Sequence, residues 1–537
     1  MNVPTLLART VERFPDRPAL AYGSHRWTYA EWMARIRRFA RALAGLGVRP
    51  SDRVAFYLTA SEASVTTYFA CQLLGAVAVP VNFRLAPAEV AYILQDSGAC
   101  VLVYDKGLGE APAVITGSAP TVRDLISCAS DADAISPGHH QFEALVQQTA
   151  DGELPGASPP PESHAALVYT SGTTGRPKGV MHSHGNDVAI AMNCVMEYSL
   201  SRRDIALHIA PLYHVGGLQA YFTPHVMVGA TNIVLPRYDA LQTLVAIERE
   251  RVTTLFAVPI QIEEMLFHPR FGDFDLSSLR MITTGGAPIA AVIMQRVIAE
   301  MCANVFNGYG MTEASLALLL HPEEALTHLG SCGKPTLITD CRLVPHGAAP
   351  PGGGDGGGAA ARTGELVVRG PQTMSGYWNN AAETARKIKD GWLYTGDVFS
   401  RDSDGFYTFR GRVDDLIVSG GENIYPREVE EVLYRCPGVK QAAVVGLPDP
   451  RWGSRVTAFI VRATPDLTAE AVDAFCRSSH ELAAFKRPRQ VVFVDRLPTN
   501  PSGKVIKRAL MGLMPEGRAP SAPQAASGSP SGRSSSA

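Results

Sequence analysis

Residues 28–81 read TYAEWMARIRRFARALAGLGVRPSDRVAFYLTASEASVTTYFACQLLGAVAVPV, and this stretch decides the fold. Thr28 and Glu31 have the spacing of a capping box, in which each side chain bonds the other residue's backbone N–H at a helix start. Trp32, Ile36, Phe39 and Leu43 then recur at helical spacing, with Arg35, Arg38 and Arg41 on other faces. Gly45 and Gly47 stop that helix. Residues 54–58 read as a strand, Ser61 caps a second helix that ends near Gly75, and residues 77–81 read as another strand. Helix and strand alternate, and the strands are unbroken apolar runs, as in parallel sheets covered on both faces.

The same alternation extends outward. Apolar runs at 205–210, 254–258, 281–284 and 304–306 are separated by helical segments, so the expected class is α/β with largely parallel, buried strands. After about residue 414 the pattern suits a separate small domain. Pro426 opens a helix with Val429, Val432, Leu433 and Cys436 on one face, and strands at 441–445, 456–461 and 490–494 surround a helix near 468–482. The expected division is 1–413, 414–514 and a tail at 515–537 made almost wholly of Pro, Ala, Ser and Gly. Residues 151–163 read as a surface linker and 347–361 as a Gly-rich loop between strands.

The chain has 537 residues, 49 Lys plus Arg against 51 Asp plus Glu, and a net charge of −2, which gives no bulk reason to expect nucleic acid or an anionic membrane as partner. At 46% hydrophobic and 19% charged the composition is globular. Nine cysteines without a CxxC pair point away from a disulfide framework or a zinc site. Charges at Arg9, Glu12 and Arg13 do not suit a signal peptide, and the longest apolar stretch, 69–81, holds Gln72 and Pro80 and is too short to span a bilayer. A cytoplasmic protein is the expectation. A homodimer is compatible with the pattern.

Five segments carry chemistry. The first is YTSGTTGRPKG at 169–179, where glycines let the backbone wrap an anion and the Ser and Thr hydroxyls and a lysine can bind its oxygens; it is not a Walker A loop. The second, NGYGMTE at 307–313, follows an expected strand, where open α/β sheets place ligands. There Tyr309 could stack on a base, Thr312 could reach a phosphate and Glu313 could hold Mg²⁺. The third is YTGD at 394–397, whose Asp397 could accept both hydroxyls of a ribose. The fourth runs from GRVDDL at 411–416 into SGGENIYP at 419–426, and the fifth is PTNPSGK at 498–504. Each has a plainer reading alone: a Gly/Thr-rich turn, a core tyrosine, a turn aspartate, an interdomain turn and a solvated lysine.

Taken together, in this order and at these separations, the five segments resemble the adenylate-forming enzymes: acyl-CoA synthetases, luciferases and peptide-synthetase adenylation domains. The resemblance runs from Thr5 to Leu513. It implies a large multi-sheet N-terminal adenylating domain and a smaller, mobile α+β C-terminal domain. It also implies a reaction in two steps, with ATP, Mg²⁺ and coenzyme A as cofactor and co-substrates and a small carboxylic acid as partner. By position, Thr170, Ser171, Gly172, Thr173, Thr174, Gly175 and Lys178 would hold the β- and γ-phosphates. Glu313 would hold Mg²⁺ and Thr312 would contact the α-phosphate. Tyr309, within Asn307, Gly308, Tyr309 and Gly310, would stack on adenine, with Gly285, Gly286 and Ala287 on the other side. Asp397 would take the ribose hydroxyls with help from Arg412. Lys504 would bridge carboxylate and α-phosphate, Asp414 would be the hinge, and Ser419, Gly420 and Gly421 would face coenzyme A.

The PLYHVGG segment at 211–217 matches the family's acyl-tunnel segment and places His214 near the reacting carboxylate. Adenylation domains for amino acids carry an Asp there, so amino acids are disfavoured. The expected activity is an ATP-dependent acyl-CoA ligase for a medium- or long-chain fatty acid. The rivals are the same chemistry on a benzoate or hydroxycinnamate, transfer to a carrier protein, and a non-catalytic nucleotide-binding relative.

Overall fold

The structure, a computed structural model, describes residues 1–108, 117–128, 136–154, 158–170, 176–345, 362–499 and 505–512. The Gly-rich stretch at 347–361 and the tail at 515–537 lie outside the described residues. Local expectations for 28–81 hold closely. The Glu31 carboxylate accepts from the Thr28 N–H and the Thr28 hydroxyl from the Glu31 N–H, so the helix Tyr29–Gly45 starts at its capping box. Ser61 caps Glu62–Leu74, which ends on Gly75 in the left-handed region at φ 72°. The next strand is Val77–Val81.

Glu62–Leu74 is buried on every side from Glu62 to Gln72. A helix with no solvated stripe belongs between layers, and this one packs with Tyr29–Gly45 in a core that draws on both large sheets. Trp32 anchors that core: its indole N–H donates to Thr66 Oγ1 at 2.9 Å, and its ring meets Phe69 and Phe222 edge-on at 5.3 and 6.1 Å. Arg35 neutralises the buried Glu62 at 2.9 Å and reaches Glu143 at 2.7 Å.

One large sheet has eight strands. From Gly376–Tyr377 it runs through Lys178–Ser183, His164–Thr170, Val77–Val81, Arg53–Tyr57 and Val101–Tyr104 to Asp124–Ser127 and His140–Gln141. The other has nine, with Val305–Met311, Met281–Gly285, Thr254–Phe256, Ile205–His208, Thr231–Val234 and Pro18–Tyr22 parallel at its centre and antiparallel strands at both edges. These sheets bear out the parallel expectation. A third sheet departs from it. Asp340–Val344, Thr363–Arg369, Trp392–Arg401, Ile388–Lys389 and Tyr407–Arg412 form a wholly antiparallel five-stranded sheet.

Past the turn Val413–Asp415 comes a smaller α+β unit with its own core. Pro426–Tyr434 buries Val429, Val432 and Leu433 against the antiparallel pair Val439–Asp449 and Gly453–Arg462, which Gln490–Phe493 joins in parallel. The architecture is therefore α/β, with a large multi-sheet N-terminal part and a smaller C-terminal one. Among the described residues no helix is long and apolar enough to cross a membrane.

Candidate active site

Parallel strands bring their C-terminal ends to one edge, and there Thr254–Phe256, Met281–Gly285 and Val305–Met311, with Ala210 and Pro211 just past Ile205–His208, border a cavity of about 550 Å³. Two expectations about its walls need correction. The segment at 307–313 does not follow a strand. The strand itself runs to Met311 and turns back into Ser315–Leu320, because Gly308 and Gly310 leave room for close antiparallel pairing. A Cβ on Gly310 would stand 2.2 Å from the Ser315 carbonyl oxygen, and one on Gly285 would stand 2.5 Å from the Gly308 carbonyl oxygen. Nor does Asp397 end a strand-turn. Thr395, Gly396 and Asp397 form a bulge inside Trp392–Arg401, with Gly396 at φ 80° and the Thr395 hydroxyl donating to the Leu366 carbonyl at 2.7 Å.

The cavity has two ends. The polar end is lined by Thr170, Lys178, Thr312, Glu313, Glu365, Tyr377, Glu383, Arg386, Lys387, Gly396, Arg412 and Asp414, with Gly285, Gly286, Gly308 and Gly310 along one wall. Thr312 and Glu313 are clamped from three directions. His182 Nε2 donates to the Thr312 carbonyl at 2.9 Å, the Met374 N–H to the Glu313 carbonyl at 2.9 Å, and the Tyr377 hydroxyl to Glu313 Oε1 at 2.7 Å. Burial pushes the His182 pKa down to about 4, so the ring is neutral, and a nitrogen facing a carbonyl must carry its proton.

Glu383 takes both Arg386 and Lys178, the latter at 2.7 Å, and these bonds, Arg386 first, hold its carboxyl down at about 2. Lys387 donates to the carbonyls of Tyr394 and Thr395 at 3.1 Å, and burial lowers its pKa. Asp397 accepts from the Tyr309 hydroxyl at 2.7 Å and lies 3.3 Å from Arg412 Nε, directly opposite it in the strand register. Burial works against the Arg412 charge, but Asp397 and Asp415 outweigh it and raise its pKa.

The other end is apolar and aromatic. Tyr198, His214, Tyr221, Phe256, Val215, Val258 and Leu316 line it. Gly217 is required at the bend, since a Cβ would stand 2.4 Å from the Pro211 carbonyl oxygen. The chain then forms a π-helical turn, Leu218–Phe222, that presents Ala220 and Tyr221 to the cavity. Burial lowers the His214 pKa, so the imidazole is neutral.

The structure thus gathers Thr170, Lys178, His214, Gly285, Gly286, Gly308, Gly310, Thr312, Glu313, Arg412 and Asp414 around one cavity. Asn307 serves the fold instead, donating to the Ser331 carbonyl at 2.8 Å. Tyr309 packs edge-on against Phe399 at 4.7 Å, and Ala287 is outside the lining. Gly420 and Gly421 make the left-handed turn between Ile417–Ser419 and Glu422–Ile424, beside Trp452 and away from the cavity. Ser171, Gly172, Thr173, Thr174, Gly175 and Lys504 lie outside the described residues. His182, Tyr377, Glu383, Arg386 and Lys387 were not singled out from the sequence. Only His182 had a local signal, a polar residue on the strand that leaves the Gly/Thr-rich segment.

Comparison with known proteins agrees with this geometry. A family model described as AMP-binding enzyme matches residues 7–378, and one described as AMP-binding enzyme C-terminal domain matches 428–504. A feruloyl-CoA synthase of an Amycolatopsis species is 40% identical over 93% of this chain and 96% of its own. The long-chain-fatty-acid–CoA ligase FadD13 of Mycobacterium tuberculosis is 34% identical over 90% of this chain and 92% of its own. The structure of the anthranilate CoA ligase AuaEII with anthranoyl-AMP superposes with a TM-score of 0.86 at 28% identity, covering 95% of this chain and 97% of that one. Ligases of this kind use ATP, Mg²⁺ and coenzyme A. The chain belongs to the AMP-binding, adenylate-forming enzymes and is an AMP-forming acid–thiol ligase of the acyl-CoA synthetase type.

Proposed function

We propose that this ligase activates an aromatic carboxylic acid, of the benzoate or hydroxycinnamate type, through its acyl adenylate and passes the acyl group to coenzyme A. The observation that carries the reading is the apolar end of the cavity, where Tyr198, Tyr221, Phe256 and His214 offer ring faces and edges. Rings pack well against rings in offset or edge-on geometry. The 40% identity to a feruloyl-CoA synthase supports it.

In the first step a carboxylate oxygen forms a bond to the α-phosphorus of ATP, the bond to the bridging oxygen breaks, and pyrophosphate leaves. No proton moves. The obstacle is the approach of two anions, so the protein's task is to hold cations and donors in place beforehand. On this reading Lys178, held by Glu383, stands with Thr170, Ser171, Gly172, Thr173, Thr174 and Gly175 at the β- and γ-phosphates. Thr312 donates to the α-phosphate, and Lys504 bridges it to the carboxylate. The adenine takes the slot along Gly285, Gly286 and Gly308, and Asp397 with Arg412 takes the ribose.

A Mg²⁺ ion fits this site. Glu313 is a hard oxygen donor at the cavity wall, and the described residues hold no cluster of three or more His, Cys, Asp or Glu. One carboxylate plus substrate phosphates is the usual arrangement for this ion. When bound, Mg²⁺ offsets phosphate charge; Tyr377 orients the carboxylate that would hold it.

In the second step the coenzyme A sulfur bonds the acyl carbon, the bond to AMP breaks, and the thiol proton is released. We assign residues 1–413 and 414–514 as the two domains, with rotation at Asp414 bringing Ser419, Gly420 and Gly421 to the thiol's side.

The test is pyrophosphate release with ATP and Mg²⁺ over aromatic and straight-chain acids, with and without coenzyme A. The expected result is coenzyme A-dependent turnover that peaks on aromatic acids. A peak on straight-chain acids would overturn the reading in favour of the second one, a fatty acid ligase, which the 34% identity to FadD13 supports.

A further inference from the structure

The aromatic end of the cavity is lined by two tyrosines whose hydroxyls are both engaged by threonines of the adjoining strands, Tyr198 by the lining residue Thr283 and Tyr221 by Thr254 behind it. The Thr283 hydroxyl donates to Tyr198 Oη at 3.3 Å. The Tyr221 hydroxyl donates to Thr254 Oγ1 at 3.1 Å, and Thr254 Oγ1 lies 3.0 Å from His225 Nε2. His225 Nδ1 lies 2.6 Å from the carbonyl of Tyr221 itself. A carbonyl only accepts, so Nδ1 carries the proton and Nε2 accepts from Thr254. Burial lowers the His225 pKa, which keeps that tautomer neutral. The hydrogen bonds therefore run in one direction around a closed ring, Tyr221 to Thr254 to His225 and back to Tyr221. A tyrosine held at both its hydroxyl and its backbone cannot swing aside for a longer ligand.

Depth follows from register. Thr283 precedes Gly285 by one side-chain repeat on the same face, and Thr254 pairs with Met281, one repeat deeper. The two anchors thus lie roughly 7 and 13 Å below Gly285 along the strands. Behind Tyr198 the core is solid with Cys194, Leu200, Met281 and Leu319. Behind Tyr221 stand His208 and His225, at ring-centre distances of 5.2 and 4.5 Å.

We propose that Tyr198 and Tyr221 form a fixed floor that sets the longest acid this enzyme accepts: one ring with a short spacer, and no long chain. The proposal rests on the reading that the aromatic end receives the acid. It is a statement about specificity: the two tyrosines do not take part in bond making, and the closed ring through Thr254 and His225 acts by positioning Tyr221.

The experiment compares the wild type with Tyr198→Ala, Tyr221→Ala, Tyr221→Leu and Tyr221→Phe. The readout is kcat/KM for coenzyme A-dependent pyrophosphate release, on ring acids of increasing spacer length and on straight-chain acids from butanoate to hexadecanoate. The Ala and Leu variants are expected to raise kcat/KM on the first acid the wild type rejects by at least about tenfold, the size of a lost or gained methylene in a pocket. Tyr221→Phe keeps the aromatic bulk but opens the hydrogen-bonded ring at Thr254, and is expected to relax the length limit by less than Tyr221→Ala does; a Phe variant with the wild-type limit would overturn the positioning part assigned to Thr254 and His225. Folded Ala and Leu variants whose limit stays that of the wild type would overturn the proposal, as would a wild type with no length limit. If the wild type favours straight-chain acids while the Ala variants lengthen its limit, the aromatic reading fails and the floor stands. If it favours aromatic acids and no variant moves the limit, the floor fails and the aromatic reading stands.

Discussion

Replacing Tyr377 by Phe removes one atom from the site, the hydroxyl that donates to Glu313 Oε1 at 2.7 Å. Both residues are buried, at 4% and 8% exposure, on the cavity wall, where a water is a weaker and less fixed donor than the hydroxyl it would replace. A hydrogen bond to a charged group contributes about 1.5–3 kcal/mol. Each 1.36 kcal/mol is a factor of ten in rate, so adenylate formation should fall roughly ten- to a hundredfold. The ring itself stays, and with it the packing against Val180, Met374 and Leu393. The assay is pyrophosphate release at saturating acid and ATP, titrated with Mg²⁺, alongside a thermal melt. The expected result is a lower maximal rate and a Mg²⁺ dependence displaced to higher concentration, with little change in melting temperature. A rate within twofold of wild type and an unmoved Mg²⁺ dependence would refute the assignment of Glu313 as an oriented metal ligand.

Four further outcomes are expected. His182→Met should lose roughly fivefold in adenylation kcat with KM for ATP little changed, because a neutral hydrogen bond to the Thr312 carbonyl is worth about 1 kcal/mol. His182→Gln, which keeps a donor, should recover most of that; equal loss in both variants would count against positioning. Arg35→Met leaves the buried Glu62 unpaired and should destabilise the N-terminal part by about 3–5 kcal/mol in a denaturant titration. Asp414→Pro, which fixes φ, should spare adenylate formation and block thioester formation; equal loss of both half-reactions would contradict the hinge. For pH, burial holds His182, His184 and His225 at about 4 and His208 at about 3 in the folded state. An unfolded histidine titrates near ~6.5, so between these values the unfolded chain binds more protons, and stability falls as pH drops from 6.5 toward 4. Asp187 and Glu263, which burial raises to about 7, work in the opposite direction, since their folded forms keep a proton where the unfolded forms have lost it. Four histidines outweigh two carboxyls, and melting curves that stay flat or rise on acidification would show otherwise.

What the sequence made legible was local. Capping boxes, helix-spaced apolar residues and unbroken apolar strands are set by near neighbours, and Thr28, Ser61, Gly75 and the strand Val77–Val81 all fell where the pattern put them. The antiparallel sheet was less legible because its signals are mixed. Thr395-Gly396-Asp397 has the composition of a turn, yet pairing on both sides of the bulge keeps it inside a strand. Likewise Gly308 and Gly310 look like punctuation, but they are what lets two strands meet without Cβ atoms between them. The motif residues of the site could be placed by pattern. Their supports could not. Lys178 and Glu383 are 205 residues apart, and His182 and Thr312 are 130 apart. No periodicity encodes a partner at that distance; only the crossing of the eight- and nine-stranded sheets with the third brings them together.

The rung formed by Asp397 and Arg412 has a consequence for timing. Arg412 is the last residue of its strand, and the turn Val413–Asp415 begins at the next one. On the proposed roles, the sugar-binding pair and the swivel share a single short piece of backbone. Whether a nucleotide is seated is therefore felt at the pivot itself, as a load placed beside a fulcrum rather than at the far end of a beam. On those roles no signal need be relayed across the molecule: the mechanical advantage is local, and departure of AMP would slacken the joint that must reset before the next acid is taken up.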